Sequence, residues 1–232
     1  MNQREYKHIF FDLDETLWDF KKNSLETLTD IYEEFRLDKK GIGRDEFLSR
    51  YYHHNTIYWD QYRNGLIERE HLRIIRFRST LKEFEVQDEI LIKNLSEKYL
   101  EILPTKTHLH TGAIEILEYL RLKYSLHIIT NGFEEVQNKK LHHSKIISFF
   151  KYVITSEMAG SQKPNREIFK YALDKTNAFI LNSVFIGDSI EADMAGAKAI
   201  GMDHVFFNPD KVLHQEILMH EIYSLAELKA LL

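Results

Sequence analysis

Apolar positions change their period along the chain, and the change divides it. Residues 7–13 form a short apolar run that ends on acids, as a buried strand does. After it, apolar side chains recur only at helical spacing until Pro104. Leu25, Leu28, Ile31, Tyr32 and Phe35 mark one amphipathic segment. A second covers residues 45–62 and stops at the Asn64-Gly65 turn signal. A third carries Leu72, Ile75 and Leu81. The fourth carries Ile90, Leu91, Leu95, Tyr99 and Ile102, with Pro104 as its stop. From Thr111 the texture alternates. Ala113, Ile116, Leu117 and Leu120 predict a helix, and residues 125–130, 152–155, 184–186 and 204–207 predict short buried strands separated by helical runs. Ser224-Leu225-Ala226-Glu227 is a capping-box start for a last helix.

Short apolar strands alternating with helices predict an α/β fold, a parallel Rossmann-like sheet with helices on both faces. The helical stretch after the first strand predicts a four-helix cap. The expected division is a core of residues 1–16 and 105–232 and a cap of residues 17–104.

Composition narrows the function. A net charge of −5 offers no basic field for a nucleic acid polymer. The absence of cysteine removes disulfides, thiolate metal sites and a cysteine nucleophile. Residues 1–8 are charged and the apolar run after them is stopped by Asp12, so neither a signal peptide nor a membrane span is expected. The expected location is cytoplasmic.

Chemistry gathers at the strand ends, where open parallel sheets bind ligands. The first strand ends in Asp12-Leu13-Asp14-Glu15-Thr16 and the second in Thr130-Asn131-Gly132. The loop after the third carries Gly160-Ser161-Gln162-Lys163-Pro164, opening a helix at Asn165. The fourth ends in Gly187-Asp188-Ser189, with Asp193 a turn further on. Acids, a hydroxyl, an amide and a lysine are thus delivered to one rim.

In these motifs the chain resembles the haloacid dehalogenase superfamily, in the subclass whose helical cap follows the first strand. The motifs match as Asp12 to Thr16, Thr130, Lys163-Pro164, and Gly187-Asp188 with Asp193. The departure is Glu15, where the family often has Gly or Asp, at a position that supplies chiefly its backbone. The resemblance implies a Mg²⁺-dependent phosphomonoester hydrolase acting on a small molecule. Asp12 would be the nucleophile and Asp14 the general acid and base. Thr130 and Asn131 would bind the phosphoryl group and Lys163 would offset its charge. Asp12, the Asp14 main-chain carbonyl and Asp188 would hold Mg²⁺, with Asp193 acting through a water. Glu157 is read either as support for this site or as an exposed side chain.

A dehalogenase does not need the acid at Asp14, so the family reading turns to phosphate esters. A phosphomutase, or a phosphatase of sugar phosphates or phosphoglycolate, would carry the same motifs. An inactive interaction module would be expected to have lost one of them. Residues 128–133, Val136-Gln137, Phe149-Phe150, residues 17–20 and residues 206–209 resemble the pyrimidine 5′-nucleotidase branch. That resemblance implies a nucleoside 5′-monophosphate substrate, pyrimidine before purine.

The cap is less informative. Its Tyr51, Tyr52, Tyr58, Trp59 and Tyr62 suit either base stacking or a bundle core. Trp18 and Tyr62 are the candidates for base contact. Arg63, Arg73, Arg76 and Arg78 are read as a second anion site or a solvated face. His53-His54 and His142-His143 are read as surface pairs, because neighbours on a helix point apart.

Overall fold

The computed structural model describes residues 5–232. They fall into two compact units. One is built from the residues up to Phe20 together with Thr107–Leu232, and the other is Lys21–Lys106.

The larger unit is a six-stranded sheet in which every paired neighbour is parallel. Its strands are β1 (His8–Phe11), β2 (Ser125–Thr130), β3 (Phe150–Thr155), β4 (Ser183–Gly187), β5 (Asp203–Phe207) and β6 (His220–Ile222). Their order is β3-β2-β1-β4-β5-β6, so β1 lies at the point where the strand order reverses. Phe11 is in register with Ile128 of β2 and Ile186 of β4, and Asp12 N–H donates to the Ile186 carbonyl at 2.9 Å. Residue 12 therefore opens directly onto the crevice between β1 and β4, where ligands bind in sheets of this order.

The four strands predicted from apolar texture after the helical stretch are all present. β6 was not anticipated. It is a three-residue edge strand reading His-Glu-Ile, too short and too polar to carry a period.

Alternation sorts the strands' side chains between two faces. Phe10, Ile129, Ile154, Phe185 and Phe206 pack in one cluster with Ile168, Phe169, Ala172 and Leu173 of a helix (Arg166–Thr176) and Ala197 of a short one (Ala195–Ile200). The right-handed crossover rule sends the helices Ala113–Leu120 and Glu134–His143 to the opposite face. The capping box at Ser224 is formed, with Glu227 Oε1 accepting from Ser224 N–H at 2.8 Å.

His127 lies on the first face, 1% exposed. It is stacked on Phe10 at 4.9 Å and linked to His8 Nδ1 through its Nε2 at 3.1 Å. Burial, then the positive charges of His8 and Lys151, pushes its imidazole down to about 3. The unfolded chain thus takes up this proton first, so stability held above pH 6.5 should be lost as pH falls from about 6.5 towards 3. The slope from one such group is about 1.4 kcal/mol per pH unit. Chemical denaturation across that range checks it, with a shallower decline expected in His127→Leu.

The smaller unit contains the four anticipated helices: Phe20–Glu34 (whose first residue belongs to the larger unit), Arg44–Arg63, Arg69–Lys82 and Glu89–Ile102. Its core combines aliphatic side chains such as Leu28, Ile31, Leu72 and Leu95 with an aromatic group. Tyr51, Phe77 and Tyr99 meet with ring centres 4.8–5.7 Å apart. Two expectations about faces were wrong in phase. Leu25 and Ile90 are exposed, while Asn23, Ser24 and Thr27 are buried, with Ser24 Oγ 3.0 Å from the Tyr99 hydroxyl. Among the described residues no helix is long and apolar enough to cross a membrane.

Candidate active site

All of the candidate site lies within the larger unit, on strand ends, the loops and turns that follow them, and the helix Glu134–His143. Asp12 follows β1 directly and is 7% exposed. The chain then turns sharply. Glu15 has φ 63°, the left-handed region that β-carbons disfavour, and this accounts for glycine suiting the position. The turn brings Thr16 Oγ1 to donate to Asp188 Oδ1 at 2.8 Å, which fixes the acid at the end of β4.

Lys163 is the centre of the charge arrangement. It is 3% exposed, and its ammonium donates to Asp12 Oδ1 and, at 2.7 Å, to Asp193 Oδ1. The other oxygen of Asp193 accepts from Ser189 N–H at 3.0 Å. Gly187 makes room for this carboxylate, since a β-carbon there would lie 2.3 Å from Asp193 Oδ2. Asn131 is committed elsewhere than expected. Its side chain donates to the Lys163 carbonyl at 2.9 Å and accepts from Lys163 N–H at 2.8 Å, so it holds the lysine's backbone.

Asp12, Asp188 and Asp193 offer carboxylate oxygens all within 4.8 Å of one another. Burial, opposed by Lys163 and reinforced by Asp193, pushes the Asp12 carboxyl up to about 7. Burial followed by repulsion from Asp12 and Asp193 holds Asp188 well above the usual carboxylate range. Burial alone would lower Lys163, but Asp12 and Asp193 outweigh it and hold its ammonium firmly charged. Fully ionised, three carboxylates against one ammonium would leave the cluster short of positive charge by the amount one divalent cation carries. The donor set is oxygen throughout, which suits a hard cation such as Mg²⁺.

Asp14 stands beside this cluster with a separate set of partners. Lys140 Nζ donates to its Oδ1 at 2.6 Å and Gln137 Nε2 to its Oδ2 at 2.9 Å. The same Gln137 amide donates to Thr130 Oγ1 at 2.7 Å, and Gly132 N–H donates to that oxygen at 3.1 Å. With both acceptor positions of Thr130 engaged, its hydrogen is left to donate to a ligand. Sequence reasoning missed Lys140 and gave Gln137 no chemical role. The available signal was a glutamine and a lysine three residues apart in a stripe shared with Val136 and Leu141.

The remaining candidates support this geometry, belong to the smaller unit or are exposed. Trp18 is fully buried, with the Lys140 ammonium 4.3 Å over its ring, so it is a floor for the lysine rather than an open stacking platform. Tyr62 belongs to the smaller unit, half-buried and edge-on to Trp59. Tyr51 is core. Arg76 is buried on Asn55 Oδ1 at 2.9 Å, which removes it from any solvated basic face. Glu157 Oε2 accepts from Glu134 N–H at 2.6 Å, capping the helix that carries Gln137 and Lys140. His53, His142 and His143 are exposed, and His54 pairs with Glu83 at 2.5 Å.

Comparison with known proteins agrees with this arrangement. The family profile described as haloacid dehalogenase-like hydrolase matches residues 9–207. The chain belongs to this family. It is 30% identical over 228 residues to the HAD-hydrolase YfnB of Bacillus subtilis (strain 168), covering 97% of this chain and 94% of YfnB. The crystal structure of YfnB bound to magnesium superposes with a TM-score of 0.88 at 30% identity, covering 97% of this chain and 98% of that one. Pyrimidine 5′-nucleotidase YjjG of Escherichia coli (strain K12) is 30% identical over 201 residues, 86% of this chain and 85% of its own. The glyceraldehyde 3-phosphate phosphatase of Pyrococcus furiosus (strain ATCC 43587 / DSM 3638 / JCM 8422 / Vc1) is 29% identical over 241 residues, 99% and 92% of the two chains. The protein is therefore a hydrolase with nucleotidases and sugar-phosphate phosphatases among its relatives.

Proposed function

We propose that the protein is a Mg²⁺-dependent phosphomonoester hydrolase working through an aspartyl-phosphate, with nucleoside 5′-monophosphates as substrates, pyrimidine before purine. The observation that carries this reading is the cluster of buried Asp12, Lys163 and Asp193 with half-buried Asp188, beside Asp14 and Thr130 on one rim. An Asp12 oxygen attacks phosphorus while the bond to the leaving oxygen breaks. That oxygen takes a proton from the Asp14 carboxyl and departs as an alcohol. Water then attacks the acyl phosphate and gives its proton to the Asp14 carboxylate, which releases inorganic phosphate and restores Asp12. Lys163 offsets charge on the phosphoryl oxygens and Thr130 donates to one of them. Asp12, Asp188 and the Asp14 carbonyl would hold Mg²⁺, which when bound neutralises the carboxylates and the phosphoryl group. Asp193 acts through Lys163.

The nucleotide substrate is supported by the likeness to YjjG, and a triose or sugar phosphate is the second reading because of the Pyrococcus relative. Phosphate release from UMP, dUMP, dTMP, AMP, glyceraldehyde 3-phosphate, glucose 6-phosphate and phosphoglycolate decides between them. A pyrimidine nucleotide is expected to lead in kcat/KM by about tenfold, roughly 1.4 kcal/mol of discrimination. A sugar phosphate ahead of every nucleotide by that margin would defeat the substrate assignment. Excess chelator should remove turnover and added Mg²⁺ restore it, so full activity in chelator would defeat the metal assignment.

A further inference from the structure

The helix Glu134–His143 buries Val136, Gln137, Lys140 and Leu141. A buried ammonium is costly unless paired, and a buried amide needs its hydrogen bonds. Here both polar groups end on one carboxylate, Lys140 on Asp14 Oδ1 and Gln137 on Asp14 Oδ2. With a fixed donor on each oxygen, the carboxylate cannot turn about its Cβ–Cγ bond without breaking one of them. Each oxygen still keeps a lone pair for a proton.

Three further features hold the two donors in place. The Lys140 ammonium lies 4.3 Å over the Trp18 ring and 5.6 Å over that of Phe20. Gln137 spans Asp14 and Thr130 with one amide nitrogen. Gly132 leaves the space Gln137 needs, since a β-carbon there would lie 2.4 Å from the amide's carbon and nitrogen.

We propose that Gln137 and Lys140 are positioning residues that lock Asp14 in one orientation relative to Thr130, so that its proton passes to the leaving oxygen from a fixed place. The inference rests on the phosphomonoester-hydrolase reading above. Both act through the Asp14 carboxylate rather than on the substrate. Misplacing a proton donor by about 1 Å costs on the order of a hundredfold in rate. That loss falls on leaving groups that need the proton. An alkoxide needs it, whereas a dinitrophenolate departs without it.

The test compares kcat/KM, which reports departure of the leaving group, for a nucleoside 5′-monophosphate or β-glycerophosphate against 2,4-dinitrophenyl phosphate. Lys140→Met should lose about a hundredfold on the alkyl ester and less than about tenfold on the aryl ester. Lys140→Arg should recover part of the alkyl loss. Gly132→Ala keeps both donors but drives the Gln137 amide aside, so it should show the same selectivity in weaker form. It also carries the test if Lys140→Met does not fold. Equal losses on the two esters, or none on the alkyl ester, would overturn the positioning role while leaving the hydrolase reading intact. A wild-type protein inert to every phosphomonoester would bring down both.

Discussion

Asp12→Asn should abolish turnover yet melt no lower than the wild type when both are metal-free. The amide keeps the shape of the carboxylate but cannot attack phosphorus, and loss of a nucleophile costs on the order of 10⁴-fold or more. Stability should move the other way. Asp12 is buried, and its carboxyl is pushed up to about 7 because burial and the neighbouring Asp193 oppose its charge more than Lys163 favours it. A neutral amide removes that opposition and one source of repulsion on Asp188, while Lys163 keeps Asp193 as its partner. The site's charge is thus held for reaction at the expense of the fold, a trade seen where catalytic groups are crowded. In Mg²⁺ the order should reverse, because the wild type gains binding free energy that the variant gains less of. Thermal unfolding in chelator and in Mg²⁺, beside a phosphate-release assay, measures both. A variant that melts several degrees lower in chelator would contradict the charge account, and residual turnover free of wild-type contamination would contradict the nucleophile.

The strand ends were legible in the sequence because an acid or a hydroxyl stops an apolar run at a definite residue. Asp12, Thr130 and Asp188 each stand at such a stop, and the parallel order of the sheet brings the stops to one rim. What was not legible depended on direction within a helix. Lys140 and Gln137 were passed over because polar residues on a helix are ordinarily solvent-facing, and only the three-dimensional contact with Asp14 shows these two turned inward. Asn131 was read as a substrate ligand from its place after Thr130, yet its short side chain reaches the Lys163 backbone. Trp18 was read as a candidate for base contact and is buried, and of the two readings left open for Tyr51 its burial favours the core, since composition alone does not separate a stacking surface from a core. The buried Asn23, Ser24 and Thr27 belong to the same class of miss. Small polar residues pack when a partner accepts their hydrogen bond, and Thr27 finds one in the Asn23 carbonyl at 2.8 Å.

Lys163→Met should cost both activity and stability, unlike Asp12→Asn. The methionine fills most of the lysine's volume against Phe185, whose ring centre lies 5.3 Å from the ammonium, so packing changes little. The charge change is severe. It leaves buried Asp12 and Asp193 and half-buried Asp188 within 4.8 Å of one another with no cation among them. Removing one partner of a buried ion pair costs about 3–5 kcal/mol. Turnover should also fall by about a hundredfold or more, because nothing then offsets the charge of the transferring phosphoryl group. The pH dependence has a definite sign. A carboxyl raised in the folded state binds its proton there before the unfolded chain does, so the deficit is absent below the ordinary carboxylate value and grows as pH rises through the folded one. In the wild type that window already reaches about 7 at Asp12, and loss of Lys163, which pulls Asp12 down, extends it upward. In chelator the variant should therefore be nearest the wild type in stability at about pH 4–5 and furthest from it above pH 7. Mg²⁺ should recover part of the stability, since a divalent ion can replace the missing charge, but not the turnover. Melting curves across pH, with and without Mg²⁺, test this directly. A variant as stable as the wild type at pH 8 in chelator would show that the three acids do not share the field that this geometry assigns them.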